Sequence, residues 1–262
     1  MIDVQNQADT RGIKIQRTGV TNVHLPLLIS DGDKIQSVTA QIRFTVSLSE
    51  NLRGTHMSRL MEILHDWTST PIKISDVEKI LLDAQNKLDA DGSTIQIKFK
   101  YFVEQSAPVT ERKSLLDIDC ELEGELHKNS RMKFSLGLMV PFTSLCPCSR
   151  EISNFGAHNQ RSVCKVKLEV ADIDKVADFG IEKIFRLMEA QGSSKVFPIL
   201  KREDEKFVTE YAYQNPKFVE DILRDVVISL RGVENISGFE VECENFESIH
   251  NHNAYAYFKT EI

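Results

Sequence analysis

The stretch STIQIKFKYF at residues 93–102 alternates apolar and polar side chains along its length. Ile95 to Tyr101 supply the apolar odd positions, and Gln96 to Lys100 supply the polar even positions. A period of two indicates a half-buried β-strand. The next such stretch, LLDIDCELEGEL at 115–126, follows after a short link and places acidic residues on one face. Two strands joined so closely predict an antiparallel pair, with Lys98 and Lys100 opposite some of the acids.

The same reasoning extends outward in both directions. Further strands are predicted at 41–48, about 131–140, 163–170, 238–246 and 253–260. Apolar residues at helical spacing predict helices at 55–67, 75–88, about 174–190 and 216–231. Residues 75–78 have the form of a capping box, and Asn215-Pro216 indicates the start of the last helix. Strand, two helices and two strands therefore occur twice along the chain.

This order predicts an α+β fold in which helices pack on one face of antiparallel sheets. We expect a first module at residues 1–140, a connecting segment at 141–162 that carries the metal site, and a second module at 163–262, together forming one compact bimodular unit. The acidic face of 115–126 is either a solvated surface or the lining of a wet channel, closed when sheets from several subunits join.

Composition excludes several classes of function. The formal net charge is −7 and the sequence has no basic block, so a duplex-binding role is not expected. No apolar run approaches the roughly 18 residues that a membrane span needs. The first residues are polar and lack the apolar core of a secretory signal. An odd count of five cysteines then favours reduced thiols in the cytoplasm, with Cys120, Cys164 and Cys243 as buried, inert side chains.

The connecting segment contains the most unusual chemistry. Cys146 and Cys148 flank a proline, and His158 follows Cys146 by twelve residues. Thiolate and imidazole are the preferred ligands of a zinc-sized ion. The proline makes it hard for both sulfurs to face one ion, so we expect one cysteine to be a ligand and the other to lie beside the site. The alternative is a purely structural turn.

Three other groups of titratable residues stand out. Glu247, His250 and His252 lie close together near the C-terminus, either as a polar strand end or as groups for acid–base work near neutral pH. The mixed run KREDEK at 201–206 is typical of a solvated helix start. Glu220 lies in the first turns of a helix, where the macrodipole favours a carboxylate.

Taken together, the motifs resemble one family. They are RGTHMSRL (53–60), SLCPCSREIS (144–153), GAHNQR (156–161), KREDEKFVTE (201–210), NPKFVED (215–221) and ESIHNH (247–252). In this order they resemble the type IB GTP cyclohydrolase I family, the prokaryotic second form. The resemblance implies the tunnelling fold, with two strand–helix–helix–strand modules per chain that close into barrels in a homotetramer with active sites at subunit interfaces. It also implies hydrolysis of GTP to 7,8-dihydroneopterin triphosphate and formate, the entry step to folate, with zinc or manganese as the divalent metal.

The resemblance also assigns roles to residues. It implies Cys146, His158 and Glu205 as metal ligands, with Glu203 as the alternative to Glu205. Glu220 corresponds to the glutamate that anchors the purine. The remaining polar cluster is matched by Glu247, which is expected to bind substrate, and by His250 and His252, which with Cys146 are expected to be catalytic.

These roles agree with the chemistry of the reaction. A bound metal lowers the pKa of water to about 7, and three protein ligands leave a position open for it. His252 or His250 would protonate N7 of guanine, while Glu220 would accept from N1–H and the 2-amino group. The candidates for binding the triphosphate are Arg150, Arg161, His56 and Arg59.

Two other functions remain open from the sequence. A nitrile reductase of queuosine synthesis shares the tunnelling fold and would use a cysteine with NADPH and no metal. A non-catalytic, zinc-stabilised scaffold would instead hold its ion in a closed four-ligand site.

Overall fold

The computed structural model describes residues 3–173, 175 and 180–260 and shows an α+β fold. Its strands are β1 (Ile15–Asp31), β2 (Lys34–Leu48), β3 (Gly92–Ser106), β4 (Lys113–His127), β5 (Lys133–Leu145), β6 (Asn159–Val170), β7 (Ser194–Lys195), β8 (Ile236–Asn245) and β9 (Ala254–Lys259). Its helices are α1 (Met57–Asp66), α2 (Asp76–Leu88), α3 (Pro147–Ile152), α4 (Ile181–Glu189), α5 (Arg202–Gln214) and α6 (Val219–Arg231), and a 3₁₀ turn at Trp67–Ser69 follows α1.

The chain divides into two compact units. The first comprises Met1–Lys100, Cys120–Leu136 and Asp172–Asp178, and the second comprises Tyr101–Asp119, Gly137–Ala171 and Phe179–Ile262. In the first unit, the strand order is β1-β2-β3-β4-β5. In the second unit, the order is β3-β4-β5-β6-β8-β9, and the short strand β7 pairs with β5.

In the first unit, the predicted amphipathic helices bury their apolar stripes. Leu60, Ile63 and Leu64 of α1 are buried, as are Val77 and Ile80 of α2. A Cβ atom added to Gly124 of β4 would lie 2.6 Å from Val77 Cγ1, so the helix packs too closely there for any side chain. Burying these side chains supplies the main favourable free energy of this layer.

The start of α2 differs from the prediction. Ser75 is the residue before the helix, but its side chain makes no capping hydrogen bond. The Asp76 carboxylate accepts from the backbone N–H of Lys73 instead, at 3.0 Å. The predicted capping box was therefore wrong, and the Asp76 carboxylate instead holds the backbone that leads into the helix.

The second unit also corrects the sequence prediction at a helix start. Helix α6 begins at Val219 rather than at Pro216, and Asn215 is the C-cap of α5. The Asn215 amide donates to the carbonyl oxygens of Gly192 and Ser193, both at 3.2 Å. These bonds hold the link between α5 and α6 in place, which explains why an Asn-Pro pair here does not begin the helix.

Among the described residues between β6 and β8, the structure has three helices rather than the predicted two. Of the predicted helix at 174–190, the structure describes α4 over Ile181–Glu189, and residues 174 and 176–179 lie outside the described residues. Helix α5 was recognised only as a helix start. It buries only Asp204 and Ala212, so it lacks the apolar stripe by which a helix is recognised.

The acidic strand β4 alternates as predicted. In the first unit, Glu121 lies 3.5 Å from Lys98 Nζ and accepts from the Gln96 amide at 2.5 Å. The odd positions are exposed or half-buried, whereas Ile118, Cys120 and their even neighbours are buried. One face of β4 is therefore polar and solvent-accessible within the chain.

The predicted thiol environments also agree with the structure. Cys120, Cys164 and Cys243 are buried. Cys164 and Cys243 are paired across β6 and β8, with their sulfurs 3.0 Å apart. Burial and the neighbouring thiol raise the pKa of Cys164, which keeps it protonated. In the described part of the chain, no helix combines the length and apolar character needed to cross a bilayer.

Candidate active site

The segment after β5 holds Cys146 in a defined position. Cys146 is the residue before α3, and its sulfur accepts from the Ser149 backbone N–H at 3.4 Å. The Cys146 N–H donates to the His158 carbonyl oxygen at 3.1 Å, which joins the two ends of the loop. Cys146 is half-buried, whereas Cys148 is exposed. The two cysteines on either side of the proline therefore differ in burial, and only Cys146 is partly enclosed.

His158 lies immediately before β6 and has one ring nitrogen engaged. Its Nδ1 lies 3.0 Å from the Gln160 side-chain oxygen and 3.8 Å from the Glu247 carboxylate. The Ser149 hydroxyl accepts from the His158 backbone N–H at 3.2 Å. Among the described residues, Nε2 makes no hydrogen bond. An imidazole held at Nδ1 by an acceptor presents Nε2 as a base, which is the arrangement that metal-binding histidines use.

The expected carboxylate ligand does not join these two residues within the chain. Glu203 and Glu205 are exposed on the first turn of α5. Within residues 3–173, 175 and 180–260, no group of three or more His, Cys, Asp and Glu side chains is arranged to hold a metal ion. Cys146 and His158 are thus brought together through their backbones, and Glu205 is not part of a three-ligand cluster with them in the single chain.

The residue between these acids has a different role that the sequence did not reveal. Asp204 is fully buried. Its carboxylate accepts hydrogen bonds from the Val109 and Thr110 backbone N–H groups at 2.9 Å, from the Thr110 hydroxyl at 2.7 Å and from the Lys201 N–H at 2.9 Å. Asp204 therefore caps α5 and ties it to the turn between β3 and β4.

Asp204 should make stability depend on pH. Burial by itself raises the pKa of this carboxyl group, but the hydrogen bonds from Thr110, Lys201 and Val109 outweigh it and hold the pKa well below its usual 3.8. Because the folded-state pKa is lowered, the stabilisation is present above about pH 4 and is lost as the pH falls further. We expect Asp204→Asn to lower the melting temperature at pH 7 by several degrees and to flatten its dependence between pH 5 and 3.

Thermal unfolding followed by circular dichroism at a series of pH values measures this effect. Glu210→Gln is the matched control, because it removes an exposed carboxylate from the same helix. An equal change in both variants would mean that Asp204 contributes no more than a surface charge.

The three residues of the C-terminal polar cluster, Glu247, His250 and His252, differ in burial. Glu247 follows β8, is mostly buried, and approaches both His158 and Gln160. The rings of His250 and His252 stack with their centroids 5.0 Å apart, and both side chains are exposed. The structure thus brings Glu247 to the histidine on the connecting segment and leaves the histidine pair on the surface.

Glu220 is exposed on the first turn of α6. In the described part of the chain, its carboxylate accepts no hydrogen bond. It is therefore available to a ligand with two adjacent donors.

The four phosphate candidates differ in their contacts. In the second unit, the Arg150 guanidinium lies 4.9 Å from the centre of the Tyr213 ring, and Arg161 is exposed. In the first unit, Arg59 donates to the Lys87 carbonyl oxygen at 2.7 Å, and His56 Nε2 lies 3.3 Å from the Asp3 carboxylate. Arg59 and His56 are thus already partly engaged by their own unit.

Phe142 of β5 packs against the short segment that contains Gly192 and leads into β7. The structure pairs β7 with Phe142 and Thr143, and a Cβ atom added to Gly192 would lie 2.7 Å from Phe142 Cβ. The large ring is therefore accommodated by a glycine, and Ser193 accepts from the Leu145 N–H at 3.0 Å.

Comparison with solved structures shows the fold. The chain superimposes on uricase from Arthrobacter globiformis with a TM-score of 0.55, covering 94% of this chain and 92% of that chain at 6% identity. The chain therefore has an α+β fold built on a large antiparallel sheet, of the tunnelling-fold type.

The family follows from sequence comparison. Residues 1–256 match the family model described as type I GTP cyclohydrolase folE2. GTP cyclohydrolase FolE2 of Geotalea uraniireducens (strain Rf4) is 46% identical over 257 residues, covering 98% of this chain and 92% of the relative. GTP cyclohydrolase FolE2 of Syntrophus aciditrophicus (strain SB) is 44% identical over 262 residues and covers 100% of both chains. The chain therefore belongs to the FolE2 family of GTP cyclohydrolases and is an enzyme with GTP cyclohydrolase activity, which excludes the reductase and the non-catalytic scaffold.

Proposed function

We propose that the chain opens the imidazole ring of GTP at C8, releases formate and forms 7,8-dihydroneopterin triphosphate at a divalent metal site built on Cys146 and His158. The observation that carries the proposal is the hydrogen bond that joins Cys146 to His158, together with the acceptor at His158 Nδ1. The residues present fit a zinc or manganese ion, because a thiol and an imidazole with a free nitrogen are suitable donors. When bound, such an ion supplies a hydroxide nucleophile at neutral pH.

The third ligand in this proposal is Glu205, with Glu203 as the alternative. Its exposure in the single chain supports a site that is completed at the interface between copies in a homotetramer. Exposed apolar side chains near these segments support association, because large apolar groups seldom stay in water without a partner. Phe155 is 93% exposed within the connecting segment, and Phe207 and Tyr211 form an exposed stacked pair on α5. In this arrangement, the polar face of the sheet lines a barrel closed by several subunits.

The other residues bind and move protons. Glu220 accepts from guanine N1–H and the 2-amino group, and Glu247 completes the substrate pocket. His252 or His250 donates a proton to N7 as C8 changes from trigonal to tetrahedral, and assists the departure of formate. Arg150 and Arg161 are the main candidates for holding the triphosphate, which the reaction leaves intact.

The division of the chain into a first module at 1–140, a connecting segment at 141–162 and a second module at 163–262 remains a prediction. The enzyme would act in the cytoplasm, at the first step of tetrahydrofolate synthesis.

The proposal is tested by measuring metal content and formate release from GTP on the same sample, before and after treatment with a chelator. We expect one formate for each pterin formed, loss of both after chelation, and recovery on addition of Zn²⁺ or Mn²⁺. ATP should give neither product, because its ring presents an acceptor where Glu220 needs a donor. Full activity in a sample stripped of metal would refute the metal site, while the family assignment would stand.

A further inference from the structure

A chain of buried polar side chains runs behind His158. The Gln160 side-chain oxygen lies 3.0 Å from His158 Nδ1, and its amide nitrogen donates to the Ser144 hydroxyl at 2.8 Å. The Ser162 hydroxyl donates to the same Ser144 oxygen at 2.9 Å. Gln160 is 7% exposed, and Ser144 and Ser162 are 0% and 1% exposed. Polar groups this deeply buried cost free energy unless they are hydrogen-bonded, so the bonded chain has a fixed geometry.

We infer that Gln160 is a positioning residue that keeps the His158 proton on Nδ1 and so presents Nε2 as a lone pair to a divalent cation. The inference rests on the proposed metal site and concerns which nitrogen of His158 is free to bind the ion. A neutral imidazole carries one proton, and the partner of one nitrogen decides which nitrogen holds it. An acceptor at Nδ1 leaves Nε2 free to bind a metal, whereas a donor at Nδ1 would place the proton on Nε2 and block it.

The orientation of the Gln160 amide is therefore decisive, and Glu247 determines it. With Ser144 alone, the amide could be turned either way, because a hydroxyl both donates and accepts. The Glu247 carboxylate lies 3.5 Å from the Gln160 amide nitrogen, and an ionised carboxylate only accepts. The NH₂ end must therefore point towards Glu247 and Ser144, which leaves the oxygen end for His158.

The same chain joins the two strands that carry the site. Ser144 lies on β5 two residues before Cys146, and Gln160 lies on β6 two residues after His158. The bond between Ser144 and Gln160 thus acts beside the backbone bond from Cys146 to His158. Together they fix both the separation of the two proposed ligands and the rotation of the imidazole ring.

The first experiment determines the tautomer directly in the metal-free full-length protein. Histidine labelled with ¹⁵N is observed by magic-angle-spinning NMR at a pH where the imidazole is neutral, and His158→Asn assigns the signal. We expect Nδ1 of His158 to be protonated in the wild type. A proton on Nε2 would overturn the inference without any variant being made.

The second experiment measures Co²⁺ affinity by optical titration. Gln160→Met keeps the volume but removes both hydrogen-bonding ends, and we expect it to lower Co²⁺ affinity about 10- to 100-fold. Glu247→Gln should lower it less, and should give a mixture of both His158 tautomers because the amide can then turn. Gln214→Met, at an exposed position, is the matched control and should bind Co²⁺ like the wild type.

The outcomes separate this inference from the proposed function. Unchanged Co²⁺ affinity and tautomer in Gln160→Met would overturn the positioning role while leaving the metal site in place. A wild type that binds no divalent cation would refute the proposed site, and the tautomer measurement would still test Gln160. If Gln160→Met does not fold, Glu247→Gln decides, because unchanged affinity together with a single Nδ1-protonated tautomer in that variant would exclude the mechanism.

Discussion

Cys146→Ala is expected to reduce formate release from GTP by at least about 10³-fold, equivalent to about 4 kcal/mol of transition-state stabilisation. The reason is that, in the proposed metal site, the variant removes the sulfur ligand, so the divalent ion should be lost or misplaced. The fold should remain largely intact, because the side chain is half-buried and its only described structural bond caps the short helix α3. Loss of a cap costs about 1 kcal/mol. Formate is measured enzymatically and the metal by mass spectrometry.

Two controls identify the cause of the loss. Cys146→Ser keeps an acceptor for the Ser149 N–H and should preserve α3, but it should still fail to hold the ion well because a hydroxyl is a poor ligand for zinc. Cys148→Ala removes the exposed thiol two residues away, and we expect it to retain bound metal. If Cys146→Ala turns over GTP as fast as the wild type, its metal role is wrong.

The strands with clear alternation were the most predictable part of the fold. Strands β3 and β4 have one buried and one accessible face, so every second residue records its environment. Strand β1 was not predicted, because its first residues are exposed or half-buried on both faces. The polar helix α5 was missed beyond its start for a related reason. Alternation and helical spacing of apolar residues indicate a buried face, and the start of β1 and helix α5 bury few apolar side chains.

Within the candidate site, the sequence predicted proximity only for residues that are neighbours along the chain. Cys146 and His158 belong to one loop, so their spacing alone suggested proximity. Asp204 stands between two other acids, and nothing in KREDEK distinguishes the buried one from the exposed ones. Gln160 and Ser162 gave a usable signal, since they are polar residues at the inward positions of β6. A polar residue where alternation demands an apolar one indicates a buried network.

The last prediction distinguishes the proposed purine anchor, Glu220, from the proposed metal ligand, Glu205. Glu220→Gln should lower kcat/KM for GTP about 10²-fold, because a charged acceptor is replaced by an amide that offers a donor to the guanine donors. Its metal content should be unchanged. Glu205→Gln should have the opposite pattern, with reduced metal content and with GTP binding to the remaining holoenzyme largely preserved.

Glu62→Gln, at an exposed position on α1, is the control for a general loss of negative charge. The pair is informative because both glutamates are exposed and lie in the first turn of a helix, so their local surroundings do not distinguish them. Only the loss that each substitution causes, of bound metal or of GTP affinity, can distinguish them. Equal loss of metal and of GTP affinity in Glu220→Gln would mean that the anchor and the ligand have been exchanged, and that α6 rather than α5 supplies the carboxylate to the ion.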